Sequence, residues 1–458
     1  MIPNFHIKNR TRSWSTVALS ALSLSAFVLP QQGTAQGALT LGDAARMAAK
    51  QNTSLDIVRA RVAQADARVA EQKASLYPDV SGYLQQAQRT TNTATFGFSF
   101  RDATTGQYLF NPDGQLLGPI PQTDARYRVS QTLLDFGAFA RVKAARSASL
   151  ATAADLNSVA EGAAANAALA YIRVVRAEAQ LSARVADSIL AADLERIARD
   201  QVQAGAGIAL DVTRAQSQSA NVRVQLIGAR GDRDRARLEL RRALNISADA
   251  PLVLADSLGS LPVDANASNE AQIIARALDL RPDLQTIKAQ EEAQRTQAKA
   301  IRAERLPTLS AVADHGALGK DWAHPIGTYS WGVQLSVHPF DGFRREARLE
   351  EQSAVQHELE ARDKDVRTQA TLEVRTALVD LAATREQAAA VTERLRFAEQ
   401  EVSQAQERFR AGVAGNSDVI TALLSLNQAR TLRNDALAAY QSSRIALARA
   451  TGALQQIP

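Results

Sequence analysis

The chain has 458 residues and a formal charge of +5, from 53 Lys+Arg against 48 Asp+Glu, spread along its whole length, which is too diffuse to mark a nucleic-acid partner. It has no cysteine, which excludes disulfides, thiolate metal sites, cysteine nucleophiles and a lipid carried on an N-terminal cysteine. Hydrophobic residues make up 46% and aromatics only 5%, a composition suited to close-packed helices rather than to one bulky core.

Lys8, Arg10 and Arg12 precede the apolar run Val17–Leu29, and small residues follow at Gly33 and Ala35. The run is too short to span a bilayer, so residues 1–35 read as a secretory signal peptide, with a retained N-terminal anchor as the alternative. Beyond Pro30 there is no run of eighteen apolar residues. A mature chain embedded in a membrane therefore has to use β-strands.

The remainder divides into two similar halves and a linker: residues 36–245, 246–268 and 269–458. Leu55–Val80 aligns without gaps on Leu284–Leu309, both Ala-rich helical stretches that stop at a proline. Leu134-Asp135 matches Phe340-Asp341, and Ala204-Gly205 with Asp211-Val212 matches Ala411-Gly412 with Asp418-Val419. Such self-similarity makes the halves structural duplicates, each read as helix, strand pair, very long helix, turn and helix. The first half carries extra turn-rich residues between Pro78 and Asp135, as in Asn111-Pro112-Asp113-Gly114, and these predict a longer exposed loop.

In the strand segments the side chains alternate. Tyr127 and Val129 oppose Arg128 and Ser130, while Trp331, Val333, Leu335 and Val337 oppose Gly332, Gln334, Ser336 and His338. Apolar side chains facing lipid with polar ones inside is the membrane-barrel pattern, and a half-buried soluble sheet produces it too. Phe96, Phe98 and Phe100 add an aromatic cluster of the lipid-interface kind. Four strands are too few to close a barrel, and three copies would supply twelve.

Asp135–Gly205 and Asp341–Gly412 contain no proline, and a continuous helix over either would be roughly 100 Å long. Along the second, Val374, Ala377, Leu381, Thr384, Ala388, Val391, Leu395, Ala398, Val402, Ala405 and Phe409 recur at spacings of three and four, the pattern of left-handed coiled-coil packing. The linker, Asn245–Asn269, with two prolines and Leu252-Val253-Leu254, reads as a small strand-bearing collar or as a plain loop.

Chemistry is sparse. His315, His324 and His338 fall in or near the second strand pair and His357 stands alone on a helix, without metal-ligand spacing. Gly205-Ala206-Gly207 follows a helix and lacks the third glycine and lysine of a phosphate loop. Glu291 and Glu292 read as solvent-facing. No cofactor, no metal site and no enzymatic activity are expected.

Leu39-Thr40-Leu41, Asp43-Ala44, the Asn52 region, Arg281-Pro282-Asp283-Leu284, Leu306-Pro307-Thr308-Leu309, Phe340-Asp341-Gly342 and Gly452, in this order and spacing, resemble the TolC-type outer-membrane efflux protein family over essentially the whole mature chain. The resemblance implies a mainly α fold with a membrane β-barrel part: duplicated long-helix hairpins form a trimeric α-barrel, and four strands per protomer join a shared twelve-stranded β-barrel. It implies the exit duct of a tripartite efflux or type I secretion system, located in the outer membrane of a Gram-negative bacterium and extending into the periplasm. The implied partners are two further copies of the chain, a periplasmic adaptor (membrane fusion) protein, an inner-membrane pump or ABC transporter, and outer-membrane lipid against Tyr127, Val129, Trp331, Val333, Leu335 and Val337; no nucleic acid is implied. A periplasmic coiled-coil adaptor or scaffold is the alternative, and it leaves the duplicated hairpin and the interrupting strands unexplained.

The same resemblance gives roles to the turns. Ala204, Gly205, Ala411 and Gly412 become the periplasmic tip and its adaptor contacts, and Asp211 and Asp418 become acidic rings that constrict the pore. An aspartate at a helix start is equally read as a cap. Thr421 stands where better-known members often have a second aspartate, and Ala414 where a basic locking residue can occur, so a double acidic ring and a salt-bridge lock are not carried over.

Overall fold

The structure is a computed structural model that describes residues 38–96, 101–109, 111, 113–260 and 269–454. The signal-peptide segment, Phe98 and Phe100 lie outside the described residues, and only the backbone of Phe96 is described. Helices α1 (Leu41–Gln51) and α2 (Thr53–Ala74) lead into strands β1 (Asp79–Asn92) and β2 (Leu116–Asp135), then α3 (Phe136–Gln203) and α4 (Ala209–Ala243). The same order returns as α5 (Glu270–Leu280), α6 (Pro282–Ala303), β3 (Thr308–Gly319), β4 (Ile326–Ser336), α7 (Arg344–Arg410) and α8 (Asn416–Ala450).

Each half thus opens with two helices where the sequence led us to expect one, and local chemistry explains both breaks. Asn52 adopts extended backbone (φ −66°, ψ 141°) and its side chain accepts the Ser54 N–H, so it closes α1 and caps α2. Pro282 occupies the first turn of α6 and biases Arg281 towards extended backbone.

Helices α3 and α7 run unbroken for 68 and 67 residues, roughly 100 Å each. The three-and-four stripe on α7 is buried at Val374, Ala377, Ala388, Ala398, Val402 and Phe409 and half-buried at its other positions. Small alanines in this seam let the backbones approach closely. Near the sheet α3 packs on α2 and α6, and α6 on α7; towards the turns the neighbours run α4, α3, α8, α7, so α4 and α7 are the outer helices of one chain.

The four strands form one antiparallel sheet in the order β1-β2-β3-β4, with β1 and β4 as edges. Strand β2 is the longest: Thr123 is its outermost residue paired with β3, opposite Gly319, while Leu116–Gln122 continue outward paired only with β1. The extra turn-rich residues of the first half sit beyond this overhang, between β1 and β2. Among the described residues of the linker, Leu254 forms a parallel bridge with Leu39, through Leu39 N–H to Val253 O and Ala255 N–H to Leu39 O. Asp256 fixes this bridge by accepting from Tyr171 Oη at 2.9 Å and from Leu41 N–H at 2.9 Å. Burial and this carboxylate raise the Tyr171 phenol well above its ordinary value.

Candidate functional site: the helical turns and the strand faces

The two turns that reverse the long helices are built alike. After α3, Gly205 takes φ 73°, its N–H donates to Val202 O and the Ala206 N–H donates to Gln201 O; after α7, Gly412 takes φ 70°, its N–H donates to Phe409 O and the Val413 N–H donates to Arg408 O. These are paired Schellman closures, in which a left-handed residue satisfies the last helical carbonyls at no Cβ penalty. Ala204 and Ala411 are the C-cap residues just before each glycine.

Asp211 and Asp418 occupy the third position of α4 and α8, and their surroundings differ. Neither makes a capping bond: the N-cap residues are Ile208 and Gly415, without side-chain cap hydrogen bonds. What remains of the capping reading is a favourable position in the helix dipole, typically ~0.3–1 kcal/mol. The Asp211 side chain is 17% exposed and lies 3.8 Å from Arg214, whereas Asp418 is exposed.

Two bonds tie the turns together within one chain. Asn416 Nδ2 donates to the Asp211 carbonyl at 2.7 Å, and Gln201 Nε2 donates to the Phe409 carbonyl at 3.0 Å. Beside them Leu194, Ala198, Ala215, Val402, Phe409, Val419, Leu423 and Leu426 bring all four helices into one apolar core. Further from the turns, Asp187 has no exposed side-chain surface and is held between Arg430 Nη1 at 2.6 Å and Arg184 Nη1 at 2.9 Å. Burial pushes its carboxyl above the ordinary value in spite of the two guanidinium groups. None of Asn416, Gln201 and Asp187 stood out in the sequence, because a polar residue on a charged helix normally faces water. Glu291 is a smaller correction of the same kind: its side chain is 17% exposed beside Arg295.

The sheet sorts its side chains by face. Val129 pairs with Ala313, and Ala313 with Trp331; Tyr127 pairs with His315, and His315 with Tyr329; Ala311 pairs with Val333 and Leu309 with Leu335. Paired residues share a face, so Tyr127, Val129, Trp331, Val333 and Leu335 lie on one side, where most are exposed. Val337 is exposed but falls just beyond the end of β4 at Ser336, so the alternation does not place it on that face. On the opposite side a polar belt crosses all four strands. Arg126 bonds Asp124 and Asp314 at 2.8 and 2.9 Å, Tyr83 donates to Asp124, and Ser330 donates to Asp314 at 2.6 Å. The β2 and β3 backbones approach so closely there that a Cβ on Gly316 would stand 2.2 Å from that of Arg126. No helix among the described residues is long and apolar enough to cross a membrane, and no group of His, Cys, Asp or Glu among them is arranged to hold a metal ion.

Solved structures share this architecture. CusC, described as forming a transmembrane channel, superposes with a TM-score of 0.72 at 20% identity, over 90% of this chain and 92% of that one. The CmeC outer membrane channel of Campylobacter jejuni gives 0.69 at 16% identity over 98% and 94%, and the outer membrane protein VceC of Vibrio cholerae 0.68 at 18% over 90% and 96%. No curated protein sequence matches. The sequence profile described as outer membrane efflux protein matches residues 44–245 and 273–453, that is, most of both halves, and the chain belongs to the outer membrane efflux protein family.

Proposed function

We propose that this outer-membrane efflux channel is the passive exit duct of a tripartite efflux or type I secretion system, working as a homotrimer and opened at its helical turns. The observation that carries the reading is the sheet: one face holds exposed Trp331, Val333 and Leu335, the other an Arg–Asp belt, and both edges are free. Charge is too costly to face lipid, so the belt belongs to a water-filled lumen and the apolar face to the bilayer. Strands β1 and β4 run in opposite directions, so β4 of one copy fits antiparallel against β1 of the next. Three copies then close twelve strands without an edge.

Below the barrel, helices of roughly 100 Å are long enough to cross a periplasmic space. The turns at Ala204-Gly205 and Ala411-Gly412 are the surfaces offered to a periplasmic adaptor, which in turn couples to an inner-membrane pump or ABC transporter. Exposed Asp418 lines the constriction, and Asp211 contributes less because Arg214 partly neutralises it. Planar-bilayer conductance of the detergent-purified protein, with its mass measured on the same sample, tests this. A three-chain mass with small conductance that falls on adding divalent cations is the expected result; a single-chain mass with no conductance would discard it.

A further inference from the structure

The helices that carry the sheet have two unlike faces, and the face continuous with the lipid side of the barrel bears charge of one sign; the inference rests on the bilayer position proposed above for the sheet. Leu134 pairs with Leu309 and Leu309 with Leu335, so these three lie on the apolar side, while Asp135 alternates to the other side. Asp135 bonds Arg141 at 3.2 Å, which puts that face of α3 towards the lumen. There Arg141 and Ala148 line a groove of about 370 Å³ together with Arg68 and Gln72 of α2 and Gln297 of α6. The groove marks one face of a layer of three helices. Along the opposite face, spacings of three and four residues connect Phe136, Phe139, Lys143, Arg146 and Leu150 on α3. The same spacing joins Lys299 and Arg302 of α6 to Leu306 just beyond it, and Lys73 of α2 to Tyr77.

Tyr77, Phe136, Phe139 and Leu306 are all exposed and form an apolar rim at the foot of the barrel. At ~1.5 Å per residue, Lys73, Lys143 and Arg302 stand one turn, ~6 Å, from this rim on the side away from the sheet, and Arg146 and Lys299 ~10 Å from it. The headgroup layer on each side of a bilayer is ~5–8 Å thick, and the flexible stems of Lys and Arg let their charges reach back towards it. We propose that these five cations form a basic band that binds the phosphates of anionic phospholipids in the leaflet next to the helices.

Charge and partnering carry the assignment. None of the five forms an ion pair among the described residues, whereas arginines near the same level elsewhere are paired: Arg141 with Asp135, Arg305 with Glu346 and Arg348 with Glu304. Along the three stripes the first acidic residues are Asp66 and Glu292, ~16 and ~21 Å from the rim. The helix dipole accounts for Lys73 and Arg302, in the last turns of α2 and α6. It gives no reason for Lys143 and Arg146, which lie near the start of α3. Helix α7 bears exposed Glu350 and Glu351 in the same span, so the band belongs to α2, α3 and α6. Because α3 packs between α2 and α6, and α6 between α3 and α7, their outer faces are left to the membrane.

The lipid that the full-length protein gathers around itself tests the band. In nanodiscs of phosphatidylethanolamine with a minority of phosphatidylglycerol, spin-labelled forms of the two lipids report which is enriched at the protein surface. The parent is expected to enrich phosphatidylglycerol several-fold, and the enrichment should fall as salt rises. It should vanish in the variant Lys143→Gln, Arg146→Gln, Lys299→Gln, Arg302→Gln. The charge-conserving variant Lys143→Arg with Arg302→Lys should keep it, and so should Arg68→Gln on the lumen side of α2. Equal enrichment in the parent and the four-site glutamine variant overturns the band, as does an equal loss in Arg68→Gln or in the charge-conserving variant. A parent protein that enters the bilayer without preferring phosphatidylglycerol overturns the band alone, whereas one that does not enter the bilayer removes the membrane position of the sheet as well.

Discussion

The side-chain amide of Asn416, at the first position of α8, donates to the main-chain carbonyl of Asp211, at the third position of α4, across 2.7 Å. Asn416 is fully buried, and its Oδ1 has no hydrogen-bond partner among the described residues. This bond, together with the one from Gln201 to the Phe409 carbonyl, ties the two reversing turns of a chain to each other, and Asp211 takes part through its backbone rather than its carboxylate.

Replacing Asn416 by alanine removes that bond at a cost of about 1 kcal/mol. The turns should then separate more readily. Single-channel recording is expected to show a higher open probability than in the parent protein, with the trimer mass unchanged; identical gating would mean that the bond does not restrain the turns.

The two aspartates should not behave alike. Asp418→Asn is expected to weaken divalent-cation block of the channel by a factor of several, because its carboxylate is exposed. Asp211→Asn should change block less, since Arg214 lies 3.8 Å from its carboxylate. Equal effects, measured as cation-block curves in planar bilayers, would contradict the assignment.

On the sheet, Trp331→Arg places a charge on the apolar face and should cost about 2–4 kcal/mol near the bilayer midplane, falling towards zero at the interface. Gln334→Arg, three residues on and on the other face, should be tolerated. The amount of trimer recovered from outer membranes distinguishes them.

Gly316→Val should be worse than an ordinary strand substitution. Its Cβ would meet the Ala125 carbonyl oxygen at 2.3 Å and Arg126 Cβ at 2.2 Å. Overpacking of this kind costs about 1–3 kcal/mol, and here backbone has to move. Loss of the assembled barrel, followed as heat-modifiable migration on gels, is the expected readout.

Acid sensitivity should localise to Asp283. Burial raises its carboxyl, but the Arg281 guanidinium, 2.7 Å away, outweighs burial and holds it below the ordinary value of 3.8. A depressed carboxylate contributes stability that is present above the unfolded value and lost as pH falls through the folded one. Arg281 also bonds Glu373 at 2.6 Å, so protonation loosens the junction of α6 with α7. Below about pH 4 the parent should lose helical signal more steeply than Asp283→Asn, as followed by circular dichroism in detergent.

Much of this was legible in the residues. The proline-free stretches after Asp135 and Asp341 announce the long helices, the stripe from Val374 to Phe409 announces their packing, and alternation from Trp331 onward announces a strand with two unlike faces. The repeated Ala-Gly turns mark where the chain reverses, because only a residue free to adopt positive φ closes a helix in that way. Other features depend on partners far apart in the chain. Asp187 reads like any surface acid until α8 brings Arg430 against it, and Asn416 reads like any polar residue at a helix start until the fold places Asp211 beside it. The belt of Asp124, Arg126 and Asp314 was equally hidden, since strand register, not local pattern, decides which charges meet.

The unequal strand hairpins have a further outcome. Residues Leu116–Gln122 of β2 rise beyond the last pairing with β3, an overhang of roughly 20 Å at ~3.3 Å per residue. Repeated around a threefold ring, this gives a crenellated rim, three tall merlons separated by low gaps. The merlons stand furthest from the lipid, so an antibody, a bacteriophage or an impermeant label added to living cells meets them first, before any part that conducts.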